Sequence, residues 1–221
     1  MRTQLLFVFL FIFIIFSNSQ TADQIIKKHL EITGGINNWK DFNSVVLKGE
    51  MVLGLKEAYP IEIYQKRPNW NKTIMITNGK KMLLNGYNGK KAVKYNFQSN
   101  KLENDFSYVP EAFDSDLLDY SNKGFQAVLA GTEKINGTNC YKVKLIKNTN
   151  VTTYCFDVKS YQLIKEINTE ETKTYSNFRK SSTLTFPYKI EIKSIDNQSD
   201  FVLIFKTIEV NKLISSKEFN F

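Results

Sequence analysis

Two segments decide the fold: Cys140-Tyr141-Lys142-Val143-Lys144-Leu145 and Val151-Thr152-Thr153-Tyr154-Cys155-Phe156, joined through Asn148-Thr149-Asn150. Apolar and polar residues alternate in both with the two-residue period of a β-strand, and the Asn-rich join has turn chemistry. The stretch therefore reads as a hairpin. Tyr141, Val143 and Leu145 share one face and Lys142 and Lys144 the other, so only the first face can turn to a core. The returning strand matches if Thr152, Tyr154 and Phe156 face the same way. A sheet that is dry on one side and wet on the other is antiparallel in habit.

Outward from this hairpin the same alternation recurs. Downstream lie Leu163 to Ile167, Lys173 to Phe178, and the row Phe186, Tyr188, Ile190 and Ile192, which faces away from Lys189, Glu191 and Lys193. Phe201 to Ile208 is apolar on both faces, which predicts cover on both sides. Upstream lie Phe125 to Leu129 and an earlier set of rows: Val45, Leu47, Met51 and Leu53; Tyr59, Ile61 and Ile63; Trp70, Ile74 and Ile76; Met82 to Leu84; Val93, Tyr95 and Phe97. Asn78-Gly79, Asn88-Gly89 and Asn136-Gly137 are hairpin signals between them. Without a βαβ pattern, about eleven such strands predict a mainly β chain whose wide antiparallel sheet must curl into an unclosed barrel. Curling encloses either a packed core or a cavity, and the inward rows suit both.

Two stretches leave the strand pattern. Thr21-Ala22-Asp23 opens a helix with Ile25, Ile26, Leu30 and Ile32 at helical spacing, and Gly34-Gly35 closes it. Residues 98–121 carry Phe106, Tyr108, Val109, Ala112, Phe113, Leu117 and Leu118 at helical spacing, with Pro110 suited to a first turn and Glu111, Asp114 and Asp116 interleaved. This segment reads either as a connecting helix on the core or as a helical lid over an opening. As a lid it would turn Phe106, Phe113, Leu117 and Leu118 inward.

Residues 1–19 carry a cleaved export signal: Arg2, the apolar run Leu5 to Phe16, then Ser17-Asn18-Ser19 as the cleavage region. The run is shorter than the roughly 20 residues that span a bilayer. Residues 20–221 are the size of one domain. Loss of Arg2 takes the formal charge from +8 to +7, with the lysines dispersed rather than clustered. That distribution suits a solvated surface and offers nucleic acid no basic stripe or reader motif.

Export also places the two cysteines where disulfides persist. Cys140 and Cys155 both point to the outer face of the hairpin. A directly opposed register allows a bridge worth about 3 kcal/mol, and an offset register leaves two thiols. From the shared face and the export signal we expect the bridge. Asn71, Asn136, Asn150 and Asn197 begin Asn-x-Ser/Thr sequons, which chance explains in so Asn-rich a chain.

No catalytic constellation is visible. GxSxG, HExxH, P-loop and dinucleotide fingerprints are missing, and His29 is the lone histidine, better read as a packed structural residue than as a metal ligand. Glu50, Glu62, Glu166 and Glu191 lie on strands and read as outer-face residues. No enzyme activity and no cofactor are expected.

Several motifs together resemble a known family: the export signal, the helix ending Ile32-Thr33-Gly34-Gly35 followed by Trp39, the segment Ile61-Glu62-Ile63-Tyr64-Gln65-Lys66-Arg67-Pro68, Leu117-Leu118-Asp119-Tyr120 leading to Gly124, Gly137-Thr138-Asn139-Cys140-Tyr141-Lys142-Val143, and Phe186-Pro187-Tyr188-Lys189-Ile190. The chain is similar, over nearly its whole mature length, to the LolA-like outer-membrane lipoprotein-sorting proteins of Gram-negative bacteria, in the form common among Bacteroidetes. Arg67 sits where the family's Arg-Pro pair falls, while no Pro follows Phe219 in the tail, a departure from the family pattern. The resemblance implies a half-barrel capped by helices that carries lipoprotein acyl chains, or another lipid, across the periplasm as a monomer, between an inner-membrane donor and an outer-membrane acceptor. The inward rows would then form the cavity wall: Leu47, Met51, Leu53, Ile61, Ile63, Trp70 and Ile74 from the first half, and Tyr141, Val143, Tyr154, Phe156, Phe186, Tyr188 and Ile190 from the second. The alternative on the same fold is an envelope sensor or scaffold that carries nothing.

Overall fold

A computed structural model describes residues 20–54, 57–195 and 200–221. The expected export signal at 1–19 and the sequon at Asn197 lie outside the described residues. Helix α1 (Ala22–Ile32) starts at Thr21, whose hydroxyl accepts from the Gln24 amide while the Gln24 side chain accepts from the Thr21 amide, a closed capping box. It ends at Gly34 and Gly35, whose φ of 134° and 92° would strain any other residue. Ile25, Ile26 and Leu30 are buried, whereas Ile32 at the last turn is exposed. A short helix α2 (Ile36–Lys40) follows, and the Trp39 indole donates to the Thr33 hydroxyl at 3.0 Å.

The strands are β1 (Ser44–Leu53), β2 (Glu57–Lys66), β3 (Trp70–Thr77), β4 (Lys80–Tyr87), β5 (Ala92–Asn96), β6 (Lys101–Asn104), β7 (Gln126–Ile135), β8 (Thr138–Lys147), β9 (Asn150–Asp157), β10 (Leu163–Ile167), β11 (Glu171–Ser181), β12 (Leu184–Ser194) and β13 (Phe201–Val210). Among the described residues they form one antiparallel sheet of 13 strands in the order β6-β5-β4-β3-β2-β1-β13-β12-β11-β10-β9-β8-β7. Every neighbour is a chain neighbour except β1 and β13, which pair with each other. The meander thus joins its own ends, and it would be a closed ring if β6 paired with β7. Instead residues 105–125 run between those two edges, so the barrel is open at this one seam.

The hairpin read first from the sequence is present with the inward face expected, but in the offset register: Tyr141 opposite Phe156, Val143 opposite Tyr154 and Leu145 opposite Thr152. These side chains face inward, where α1, Leu117 and Leu118 complete a core with Val143, Leu145, Tyr154 and Phe156. A second inner cluster joins Phe42, Val45, Ile61, Met75, Leu184, Tyr188, Phe205 and Ile208, with Leu47, Met51, Ile63 and Ile190 packed against it. The outer face is covered locally by the tail after β13, where Ile214 and Phe219 bury Val46.

The cysteines do not pair. Cys140 stands opposite Asp157 and Cys155 opposite Lys142, the offset register, and both are free thiols. Diagonal neighbours keep Cβ atoms near 7 Å apart, beyond the roughly 4.5 Å a disulfide tolerates. Both are fully buried with Ile135 against the outer face. Burial, then the neighbouring Cys155, pushes the Cys140 thiol up to about 11, and burial raises Cys155 as well, which makes both poor nucleophiles.

Other expectations change in specific ways. Residues 98–121 contain β6, an edge strand without alternation, and then turns rather than a helix. Trp70 and Ile74 face outward, opposite Lys66 and Glu62, and the inward row of β3 is Asn71, Thr73 and Met75. The outer side of β3 holds the apolar row because the tail covers it: the Phe219 ring meets Trp70 at 5.3 Å, and Lys72 donates to Glu218 at 2.6 Å beneath the same tail. Phe106 is 94 % exposed, pointing away from the interior.

Candidate functional site

Between the inner faces of β9 to β12, helix α1 and loop residues 111–118 lies a cavity of about 610 Å³. That is the size of site that holds one small amphiphile (roughly 300–1,000 Å³). One part of its wall is apolar, built from Leu30, Trp39, Phe42, Phe113, Leu117 and Phe186. Trp39, Phe42 and Phe186 meet in edge and tilted contacts at 5.5–5.7 Å, and Phe42 meets Phe113 at 4.7 Å, so the aromatic wall includes one ring from the loop.

The loop is fastened by polar contacts. Arg67 at the end of β2 donates Nε to the Phe42 carbonyl at 2.7 Å and Nη1 to Asp114 Oδ2 at 2.6 Å, with Nη2 on the other Asp114 oxygen. Its guanidinium also lies over the Phe113 ring at 5.3 Å. The Phe113 amide donates to the Pro68 carbonyl at 3.1 Å, Tyr120 donates to Asp23 of α1, and Lys40 pairs with Asp119 at 3.1 Å. Arg67 is therefore the strut that holds the loop to the sheet, a position its neighbours in sequence do not reveal.

The rest of the wall is largely polar, and carboxylates are prominent in it. Glu111, Asp114 and Asp116 come from the loop, Glu166 from β10, Glu170 from the turn that follows it and Glu171 from the start of β11. Glu166 was expected outside. A β-bulge between Leu163 and Lys165 resets the alternation, so Leu163 opposite Phe156 and Glu166 opposite Tyr154 both face inward. Glu166 accepts from the Tyr175 hydroxyl at 2.8 Å and lies 3.7 Å from Lys173, which pairs more closely with Glu171 at 2.7 Å. Burial works against the Lys173 ammonium, but Glu166 and Glu171 outweigh it and its pKa rises. Burial first, then the Glu166 charge, raises both Tyr154 and Tyr175. Among the described residues no three His, Cys, Asp or Glu converge to hold a metal ion.

His29 borders the cavity, with Nδ1 3.0 Å from the Tyr161 carbonyl and its ring 5.1 Å from Phe156. Burial lowers its pKa to about 4, partly opposed by the Tyr161 bond. A histidine depressed below its unfolded value of about 6.5 binds fewer protons folded than unfolded between the two, so its contribution is whole above pH 6.5 and is lost as pH falls toward 4. The loss is about 3 kcal/mol at most. Urea unfolding across this range should show the slope, and His29→Gln should flatten it.

Of the inward residues read from the sequence, Phe113, Leu117, Leu118, Tyr154 and Phe186 border the cavity. Leu47, Met51, Ile61, Ile63, Tyr141, Val143, Phe156, Tyr188 and Ile190 pack in or against the two inner clusters instead, and Leu53 is exposed at the end of β1. The acidic lining was missed, since carboxylates in turns carry no periodic signal.

No family model and no curated protein matches the sequence. Solved structures share the fold. An outer membrane lipoprotein-sorting protein domain from Vibrio parahaemolyticus superimposes with TM-score 0.55 at 12% identity, over 88% of this chain and 97% of that one. A LolA superfamily protein from Nitrosomonas europaea gives 0.57 at 12% identity over 91% and 98%, and a DUF1329 family protein from Desulfovibrio piger gives 0.58 at 12% over the same shares. The fold is thus LolA-like. Among the described residues no helix is long and apolar enough to cross a membrane.

Proposed function

On the premise of a LolA-like open barrel, we propose that this chain is a periplasmic carrier that shields an acyl chain of a lipoprotein or of another lipid, with residues 105–125 as its movable cover. The observation that carries this reading is the seam. The sheet is unpaired where the loop crosses, and the loop borders the cavity with the Phe113 ring, Leu117, Leu118 and a few polar contacts rather than with a strand ladder. A saturated chain of roughly 16 carbons gains about 0.8 kcal/mol per buried CH₂, about 12 kcal/mol gross, so a carrier needs an apolar wall and a way to let go. A cover held by side chains can be displaced without unpairing the sheet.

Organic extraction of native protein followed by mass spectrometry should recover acyl chains. Phe113→Ser with Leu117→Ser should raise binding of an apolar dye severalfold while the circular dichroism of the sheet is unchanged. Lipid-free protein, with dye binding unmoved and stability collapsed, would instead favour the sensor or scaffold reading, for which the filled inner clusters already speak.

A further inference from the structure

The whole chain carries a formal charge of +8, yet the cavity wall has the opposite sign. Among the described residues six carboxylates border it: Glu111, Asp114, Asp116, Glu166, Glu170 and Glu171. Asp114 is satisfied by Arg67, and Lys173 is shared between Glu166 and Glu171. Lys123 acts on Asp116 through space, but its ammonium donates to the Ser115 carbonyl at 2.7 Å. Negative charge is left over after these partners are counted.

A second observation points into the same space. Tyr154 is only 4 % exposed and borders the cavity, directly opposite Glu166 in the sheet, and its hydroxyl has no hydrogen-bond partner among the described residues. The hydroxyl opens onto the cavity rather than being sealed in the core, so beside Glu166 it offers one side of an interaction that a ligand can complete. The carboxylates do not converge on a point, which disfavours a metal ion and suits an organic cation with several N–H donors. The apolar rings of Phe42, Phe113 and Phe186 lie on the same cavity.

Resting on the carrier reading, we propose that the cavity selects an acyl chain whose head is a free ammonium, with Glu166, Asp116 and the Tyr154 hydroxyl as the receptors of the head and the aromatic wall as the receptor of the chain. The same chemistry occurs in an amine-headed lipid and in the free N-terminal ammonium of a lipidated cysteine. The carboxylates accept from the ammonium, Tyr154 accepts through its oxygen, and the acidic wall repels a fatty-acid carboxylate.

The test compares dodecylamine, dodecanol and dodecanoate at pH 7 by calorimetry on the mature chain. Charge-assisted hydrogen bonds are the strong ones, so dodecylamine should bind at least about tenfold tighter than dodecanoate, with dodecanol between them, although the overall charge of the protein favours the anion. Glu166→Gln with Asp116→Asn should erase this order and keep dodecanol binding, and Tyr154→Phe should weaken dodecylamine alone. Equal binding of all three, or preference for dodecanoate, overturns the ammonium site and leaves the carrier standing; binding of none overturns both. Competition with an S-dodecyl cysteinyl peptide, amino-free or N-acetylated, separates the sources. Displacement by the free peptide alone supports the site on a lipidated N-terminus, failure of both peptides supports it on a free lipid, and displacement by both alike overturns the requirement for an ammonium.

Discussion

Replacing Arg67 by Ala is expected to free residues 105–125 from the sheet and to lower stability by about 3 kcal/mol. The cost follows from what remains. Asp114, with 19% of its side chain exposed, keeps a carboxylate that has lost a bidentate partner, and the Phe42 carbonyl loses its donor at 2.7 Å. The Phe113 ring also loses the cation above it. Arg67→Lys restores the charge but neither the fork nor the planar stack, so it should recover less than half of the loss. The measurements are a urea midpoint and apolar dye binding, with a double-mutant cycle against Asp114→Asn to isolate the pair. If the two losses simply add and dye binding stays at the native level, the strut is ordinary surface chemistry and the loop is held by its apolar residues alone.

Gly49→Ala should be the more damaging change, costing about 3 kcal/mol or more, because overpacking against backbone cannot be relieved by a rotamer. A Cβ at Gly49 would stand 2.0 Å from the Ile204 carbonyl oxygen and 2.7 Å from the Phe205 Cα, at the bulge where β1 pairs with β13. That pairing joins the two halves of the meander, so strain there should lower the unfolding midpoint of the whole sheet. Gly54→Asn is the control. Gly54 has φ of 56° and open space around it, and Asn accepts that conformation at little cost. Equal thermal midpoints for the two variants would sink the close-packing argument.

The sequence by itself determined what has a period or a local turn code. The hairpin of β8 and β9 and the face it turns inward, the helix from Thr21 to Gly35, and the turns at Asn78-Gly79 and Asn136-Gly137 follow from alternation, capping and residues that tolerate positive φ. So does the open antiparallel sheet, since many short apolar rows without crossover helices leave few other arrangements. Tertiary structure decided wherever a contact came from far along the chain or a bulge broke the count. Trp70 and Ile74 lie outside because a tail some 140 residues later supplies cover there, so an apolar row alone does not say which face is the core. Glu166 turned inward because one extra residue in β10 reverses the two-residue period after it. The cysteines stayed apart because strand register, which composition does not specify, offset them by one pair. Residues 98–121 have helical spacing but no helix: after β6 the chain must connect the two open edges of the sheet, and Phe113, Leu117 and Leu118 are held by α1, Phe42 and Arg67 rather than by turns of their own, while Phe106 and Val109 stay exposed.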